Sequence, residues 1–290
     1  MEPIVLTNDD YNEIITKKKL VGSGVDGSIY KINKDKVYKF YHKEQKFINI
    51  LDAEYDEDGV LINDFKSLRK YNMVTNNENI YYTDSDGVIL TREEAIYKAM
   101  EKQKNVHLTI LPQNIIYLNN KIAGCEYKYY PNRLGIYASA YLPLKKRLII
   151  CKRIIEKVKE LLHNNIYPIT MAQRDDMFPF KSKGSNILIG LDLEPQIIDL
   201  DGISAMYSDN FSLNNYNSTL SCLSSLVLEI LSRVELADNI EDDEMVVDEL
   251  IERMAQNNIP YISSKKYFDN RGLDLGELNY IIKTLEKRIK

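Results

Sequence analysis

Apolar and polar residues alternate in the first part of the chain, whereas apolar residues recur every three or four positions in the second part. Alternation with many β-branched and aromatic residues predicts strands at residues 20–23, 27–33 and 37–40. The wider spacing predicts helices that bury one face, at Leu144–Leu162, Tyr216–Val234, Met245–Ala255 and Leu275–Ile289. The pattern therefore predicts an α+β fold with a strand-rich first part and a largely helical second part.

The strand-rich part also carries helix and turn signals. A helix is predicted at Asp9–Lys17, and Thr91 with Glu94 has the form of a capping box that starts a helix ending near Lys104. Asn119-Asn120 joins two predicted strands, and Asp86-Gly87 predicts a hairpin turn. The other predicted elements are helical pieces at 43–51 and 62–71 and strands at 80–90, 108–118 and 121–130.

A short hairpin is predicted inside the helical part. Its strands are Asn186–Ile189 and Gln196–Leu200, joined by a turn that ends in Pro195. Because this hairpin interrupts a run of helices, we expect chemistry at this place.

Three glycines, Gly22, Gly24 and Gly27, have G-x-G-x-x-G spacing directly before the second predicted strand. Glycines let backbone N–H groups approach an oxyanion closely, and phosphate is the obvious candidate. The same spacing marks dinucleotide-binding folds, in which the last glycine opens a helix. Strand-like residues follow Gly27, which disfavours that alternative, and a glycine-containing hairpin without a ligand stays open as another.

Composition narrows the function classes. The 290 residues are 44% hydrophobic, enough for a full core. No run of eighteen apolar residues and no basic-then-apolar N-terminus is present, so we expect no membrane contact and a cytoplasmic location, in a cell or an infected host. A net charge of −5 disfavours nucleic acid as a partner. Three scattered cysteines fit reduced thiols rather than a metal site.

The glycine loop, the lysine after it and the embedded hairpin together resemble the protein-kinase-like fold. In that family a lysine on the third strand binds the nucleotide phosphates, and Val37-Tyr38-Lys39 has the matching place. The family pairs this lysine with a helix glutamate, here Glu94, with Glu93 as the neighbouring alternative. The resemblance implies ATP as a ligand, bound by residues Gly22, Ser23, Gly24, Val25, Asp26, Gly27, Lys39 and Glu94.

The resemblance also implies Mg²⁺. Kinases hold magnesium with a catalytic-loop asparagine and the aspartate of D-F-G, and Asn186 and Asp199 have the family's spacing with a hairpin between them. Here D-F-G reads Asp199-Leu200-Asp201-Gly202. The adenine-binding hinge falls at Lys128, Tyr129 and Tyr130. The implied domains are residues 1–130, a strand-rich lobe with an insertion at about 41–90, and residues 131–290, a helical lobe with the catalytic and metal-binding loops.

The catalytic acid departs from the family pattern. Counting back from Asn186 places it at Lys181, and counting forward from the preceding helix places it at Thr170. An insertion between them holds Asp175 and Asp176, which are candidates for the acid and otherwise solvated loop charges. A general base must come within hydrogen-bond reach of its proton. The position of these carboxylates in the fold therefore decides whether they are catalytic or solvated.

These residues predict an ATP- and Mg²⁺-dependent phosphotransferase that acts on Ser or Thr of a protein substrate. A nucleotide-binding pseudokinase that regulates a partner protein is the first alternative. A kinase-fold transferase that modifies a small molecule or transfers AMP is the second.

Overall fold

The computed structural model describes residues 3–23, 27–42, 45–47, 73–75, 81–83, 89–168, 186–201, 206–207, 210–232 and 273–289. They belong to two compact units. The sheet unit contains the described residues up to Tyr82, together with Leu90–Ile96 and Pro112–Tyr129. The helical unit contains Tyr97–Leu111 and the described residues from Tyr130 onward, with Thr83 and Ile89.

A six-stranded sheet forms most of the sheet unit. Its strands are β1 (Ile4–Leu6), β2 (Lys19–Ser23), β3 (Gly27–Lys31), β4 (Lys36–Tyr41), β9 (Asn114–Leu118) and β10 (Lys121–Lys128), in the order β1-β9-β10-β4-β3-β2. β1 pairs with β9 in parallel, and the other neighbours are antiparallel. Two short strand pairs lie between β4 and β9 in the chain: β5 (Gln45–Phe47) with β6 (Met73–Thr75), and β7 (Tyr81–Thr83) with β8 (Ile89–Thr91).

Helix α1 (Asn8–Lys17) packs on this sheet. Thr7 caps it: the Asp10 amide donates to Thr7 Oγ1 at 3.1 Å, and the Thr7 amide donates to Asp10 Oδ2 at 2.9 Å. Ile14 is the buried residue of the helix and joins Phe40 and Ile116 in one apolar cluster. The predicted helix is therefore confirmed, one residue longer at its start.

The β9–β10 hairpin turns at Asn119 and Asn120, as predicted. Their φ angles are 53° and 63°. A two-residue turn with positive φ at both positions matches the twist of the flanking strands, and asparagine tolerates this conformation better than other residues with a Cβ.

Helix α2 (Arg92–Lys102) follows β8 directly and continues as a 3₁₀ turn at Gln103–Asn105. Its buried positions recur at the helical repeat: Arg92, Ala95, Ile96, Ala99 and Met100. The predicted helix to Lys104 is thus confirmed, with a tighter last turn.

Two predictions in the first half were wrong. Residues 45–47, predicted as helix, form a strand because they pair antiparallel with Met73–Thr75, a contact that local sequence does not reveal. The strand predicted from Leu108 begins only at Asn114. The amides of His107 and Leu108 donate to the Glu160 carboxylate instead, each at 2.8 Å, and Pro112 has no amide to give. The helical piece predicted at 62–71 lies outside the described residues.

The described residues from Tyr130 onward include the α-helices α3 (Leu144–His163), α4 (Leu213–Ser232) and α5 (Leu275–Ile289). They share one apolar cluster with the 3₁₀ helix Ile136–Tyr141. Short strands complete the unit: β11 (Leu134–Gly135), β13 (Ile187–Ile189) and β14 (Pro195–Ile197) form one sheet, and β12 (Ile166–Tyr167) pairs with β15 (Met206–Tyr207). The helix predicted at Met245–Ala255 lies outside the described residues.

Buried polar groups connect the helices. The Leu273 amide donates to Ser224 Oγ at 2.7 Å, and that hydroxyl donates to the Leu220 carbonyl at 2.7 Å, so α4 holds a residue two positions before α5. The Arg147 guanidinium of α3 donates to the carbonyls of Ile230, at 2.8 Å, and Leu231 near the end of α4. A cation at a helix C-terminus also offsets the partial negative charge there.

Candidate functional site

The glycine motif forms the stem of the β2–β3 hairpin. Gly22 pairs with Ile29, and Ser23 pairs with Ser28, whose hydroxyl lies 3.0 Å from the Ser23 hydroxyl. Gly24, Val25 and Asp26 lie outside the described residues. A strand rather than a helix follows Gly27, so the arrangement differs from the strand-to-helix turn of a dinucleotide fold.

Close packing of the strands explains why residue 27 is a glycine. A Cβ at this position would overlap the Phe40 carbonyl oxygen of the adjacent strand β4. At Gly22 the nearest atom to a Cβ would be Ile29 Cδ1 at 3.8 Å, an ordinary contact. The last glycine of the motif is therefore needed for strand packing, whereas the sheet would accept a side chain at the first.

Lys39, the predicted phosphate lysine, lies in the middle of the sheet. It is opposite Ile29 on β3 and Cys125 on β10, and only 4% of it is exposed. Its Nζ lies 5.5 Å from the centroid of the Tyr41 ring, within the range of a cation–π contact. Burial and the aromatic contact restrict the rotamers open to the Lys39 side chain.

Gly124 of β10 lies against the backbone of Lys39. A Cβ at Gly124 would overlap the Lys39 carbonyl oxygen, and the β9–β10 register shifts between Ile122 and Gly124. Gly124 is not among the residues predicted from the sequence. An isolated glycine inside a predicted strand was the available signal, because it often marks close approach of another backbone.

The three charged residues in the first turn of α2 differ in their burial and in their contacts. Glu94, predicted to pair with Lys39, is exposed. Glu93 accepts a hydrogen bond from the Tyr117 hydroxyl of β9. Arg92 is 1% exposed, and its Cζ lies 3.8 Å from the centroid of the same Tyr41 ring that Lys39 contacts. The inward-facing residue of this turn is thus a cation that the sequence analysis did not identify.

A buried carboxylate lies near the end of β10. Glu126 is 2% exposed and accepts from Lys36 Nζ at 2.9 and 3.0 Å and from Asn114 Nδ2 at 2.8 Å. The hydrogen bonds to the Glu126 carboxylate raise the pKa of Lys36 above its usual value. No local sequence pattern predicts this cluster, because its three members come from three strands.

The predicted hinge residues follow Glu126 closely. Lys128 ends β10, and the Tyr129 amide donates to the Asp35 carbonyl at 2.8 Å, so that donor already has a protein partner. The chain passes from the sheet unit to the helical unit between Tyr129 and Tyr130. Burial raises the pKa of Tyr130 to about 12, and the Arg133 guanidinium lies 5.2 Å from its ring centroid.

Asn186 and Asp199, the predicted magnesium ligands, lie at the open end of the β13–β14 hairpin. The Ile198 amide donates to the Asn186 carbonyl at 2.8 Å, which holds the two flanking segments together. Asp199 has a φ of 64°, in the left-handed region, so the strand ends before it and the predicted strand to Leu200 is too long. Leu200 and Asp201 directly after it are buried. The structure thus brings these two predicted ligands to one place.

The donor set of this pair suits Mg²⁺. An amide oxygen and a carboxylate are hard oxygen ligands, and magnesium commonly takes one or two of them and completes its shell with water and phosphate oxygens. In the described part of the chain no three His, Cys, Asp or Glu side chains lie close enough to form a metal cage of their own. A metal at Asn186 and Asp199 would therefore depend on phosphate and water for its other ligands.

The closed end of the same hairpin is held by charged side chains. Arg133 donates to the Glu194 carbonyl and lies 3.2 Å from Asp192 Oδ2. Glu194 pairs with Lys157 Nζ at 2.9 Å and with Arg153 Nη1 at 3.3 Å, both on helix α3. None of these residues was predicted, because their spacing along the chain shows no motif.

The candidate catalytic acids Asp175 and Asp176 lie outside the described residues, as do Thr170 and Lys181. Their roles stay predictions. None of the helices in the described part of the chain has the length and apolar character needed to cross a bilayer.

Comparison with known proteins identifies the fold. No family model matches the chain, and no curated protein matches it. Among solved structures it is similar to a pseudokinase determined in its apo form, with 11% identity, a TM-score of 0.52, and coverage of 98% of this chain and 94% of that one. The chain has a protein-kinase-like fold. At this identity the likeness shows the kinase-like architecture and does not extend to activity.

Proposed function

We propose that this chain binds ATP together with Mg²⁺ and transfers the terminal phosphoryl group to Ser or Thr of a protein. The observation that carries the proposal is that Asn186 and Asp199 both lie at the open end of one short hairpin, where the Ile198 amide donates to the Asn186 carbonyl. The left-handed backbone at Asp199 supports it, because sparsely populated conformations of non-glycine residues concentrate at functional sites.

Each residue has a definite task in this proposal. Lys39 binds the α and β phosphates with an ammonium group that burial and Tyr41 hold in place. Asn186 and Asp199 hold the metal, which neutralises charge on the phosphate oxygens. Most catalysis of phosphoryl transfer comes from such positioning and electrostatic stabilisation, so this set contributes even before an acid is assigned.

Nucleotide binding is the first test. A fluorescent ATP analogue is titrated with and without Mg²⁺ against the wild type, Asp199→Asn and Lys39→Met. We expect Asp199→Asn to remove the Mg²⁺-dependent part of the affinity and Lys39→Met to weaken binding in both conditions. Asp9→Asn and Lys17→Met, exposed positions on α1, serve as controls. Binding that none of the site variants alters would refute the assignment.

Transfer is tested separately. The wild type is incubated with labelled ATP, Mg²⁺ and a protein lysate, and mass spectrometry identifies the added group and the modified residue. Phosphate on Ser or Thr that depends on Asp199 supports the proposal. Added AMP, or a labelled small molecule, would instead identify a transferase with a different reaction or acceptor.

A pseudokinase that binds nucleotide or a partner protein is the second candidate. It is favoured by the similarity to a pseudokinase and by the occupied amide of Tyr129. It predicts thermal stabilisation by nucleotide without turnover. Release of labelled phosphate or product formation by purified protein, lost in Asp199→Asn, would exclude it.

A further inference from the structure

Charged side chains from other segments contact the turn that closes the β13–β14 hairpin, Gly190–Glu194. Within the turn, the Glu194 amide donates to Asp192 Oδ1 at 3.0 Å, and the Leu193 amide donates to the Gly190 carbonyl at 3.0 Å. From outside, Arg133 donates to the Glu194 carbonyl and pairs with the Asp192 carboxylate. One arginine thus joins the middle and the last residue of the turn to the segment just before β11.

Helix α3 fixes the same turn from its own surface. Lys157 is only 4% exposed at its side chain, lies 2.9 Å from Glu194 Oε1 and also donates to the Leu108 carbonyl. Arg153 Nη1 lies 3.3 Å from Glu194 Oε2 and 2.8 Å from the Asp192 carbonyl oxygen. A buried lysine is costly without a partner, so Glu194 is the partner that makes Lys157 tolerable at this position.

The backbone of the turn is built around these contacts. Leu193 has a φ of 58°, a left-handed conformation that is unfavourable for a residue with a Cβ. A Cβ at Gly190 would lie 2.6 Å from Asp192 Oδ1 and 2.9 Å from Arg133 Nη1, so an added methyl group would displace these two side chains. The left-handed backbone at Leu193 and the close approach of Arg133 to Gly190 restrict the geometry of the turn.

We infer that Glu194 and Arg133 are positioning residues for Asn186 and Asp199. The strands between the turn and these ligands have three residues each, about 10 Å of chain, so the fixed turn sets where the open end lies. Arg133 also contacts the Tyr130 ring, which links the segment entering the helical unit to the same hairpin. This inference rests on the metal site of the proposed function and assigns to it a supporting network.

The test compares Glu194→Gln with Glu13→Gln, which breaks an exposed ion pair on α1. The readouts are the Mg²⁺ concentration at half-maximal binding of a fluorescent ATP analogue, the nucleotide affinity without Mg²⁺, and amide hydrogen exchange of residues 186–201 in the ligand-free protein. We expect Glu194→Gln to raise the Mg²⁺ requirement about tenfold, as loss of a supporting contact does at metal sites. It should leave the Mg²⁺-free affinity unchanged and speed exchange at Ile198 and Asp199.

Gly190→Ala provides a second variant that removes no polar group and displaces Arg133 by size alone. We expect it also to raise the Mg²⁺ requirement. If Glu194→Gln does not fold, Gly190→Ala alone tests the inference. An unchanged Mg²⁺ requirement in a folded variant, or an equal loss of affinity with and without Mg²⁺, would overturn the inference. A wild type that binds no nucleotide would overturn the proposed function instead, and exchange at residues 198–199 would still report whether the turn controls the open end.

Discussion

Single residues in this chain are constrained by backbone contacts as much as by chemistry. Gly27 and Gly124 both lie where a Cβ would overlap a carbonyl oxygen of β4, the strand that carries Lys39. These glycines let the neighbouring strands approach β4 closely on both sides. The position of Lys39 is therefore set by residues with no side chain.

Gly27→Ala should destabilise the protein by about 1–3 kcal/mol, because the added methyl group meets backbone that cannot turn aside. Gly22→Ala is the matched control, since its Cβ would lie at an ordinary 3.8 Å from Ile29 Cδ1. Urea unfolding monitored by circular dichroism measures both. Equal stability of the two variants would mean that β3 and β4 can separate without cost.

The Lys36–Glu126 pair predicts a pH effect. The folded-state pKa of Lys36 is raised, so the stability it contributes is present below the unfolded lysine pKa and is lost as pH rises through the higher folded value. The difference in melting temperature between wild type and Lys36→Met should thus be constant from pH 8 to 10 and shrink above about 10.5. A difference that grows with alkaline pH would contradict the pairing.

At the scale of elements, local signals predicted much of what forms. Helix α5 spans Leu275–Ile289, the range that the apolar spacing predicts, and the Asn119-Asn120 turn has the expected geometry. The resemblance to kinases implies Asn186 and Asp199 as metal ligands, and both residues lie at the open end of one hairpin. Contacts between distant segments were not foreseeable: the β5–β6 pairing, the Glu126 cluster and the Arg133 network each join residues that no local pattern connects.

At the scale of elements, the stability effect of replacing Arg147 can be predicted, because this residue connects two helices. Arg147→Met keeps most of the apolar stem and removes the donors to Ile230 and Leu231, so it should cost about 2–3 kcal/mol. Arg147→Lys retains the charge and should cost less. Chemical unfolding measures the loss, and Lys145→Met, exposed on the same helix, is the control. Similar losses for Arg147→Met and Lys145→Met would show that the carbonyl contacts contribute nothing.

At the scale of the molecule, the two units differ in their buried apolar content. Among the described residues the largest apolar cluster belongs to the helical unit, where α3, α4 and α5 meet. Cys125 lies in the sheet unit and Cys151 in the helical unit, and both are fully buried. Burial raises the pKa of the Cys151 thiol well above its usual range. The two thiols therefore report on the opening of each unit separately.

Alkylation in increasing urea should modify Cys125 at a lower denaturant concentration than Cys151, because less apolar area holds the sheet unit closed. Peptide mass spectrometry measures each site, and the partly exposed Cys222 shows that the reagent is active. Coincident labelling of Cys125 and Cys151 would show that the units unfold as one.

The parallel pairing of β1 with β9 affects how the chain is made. Residues 4–6 are synthesised before their partners Ile116, Tyr117 and Leu118. At about 5–20 residues per second, synthesis delays this pairing by on the order of 10 s. The edge of the sheet opposite β2 therefore closes only after β9 has emerged, and until then an unpaired, apolar N-terminal strand is available to chaperones.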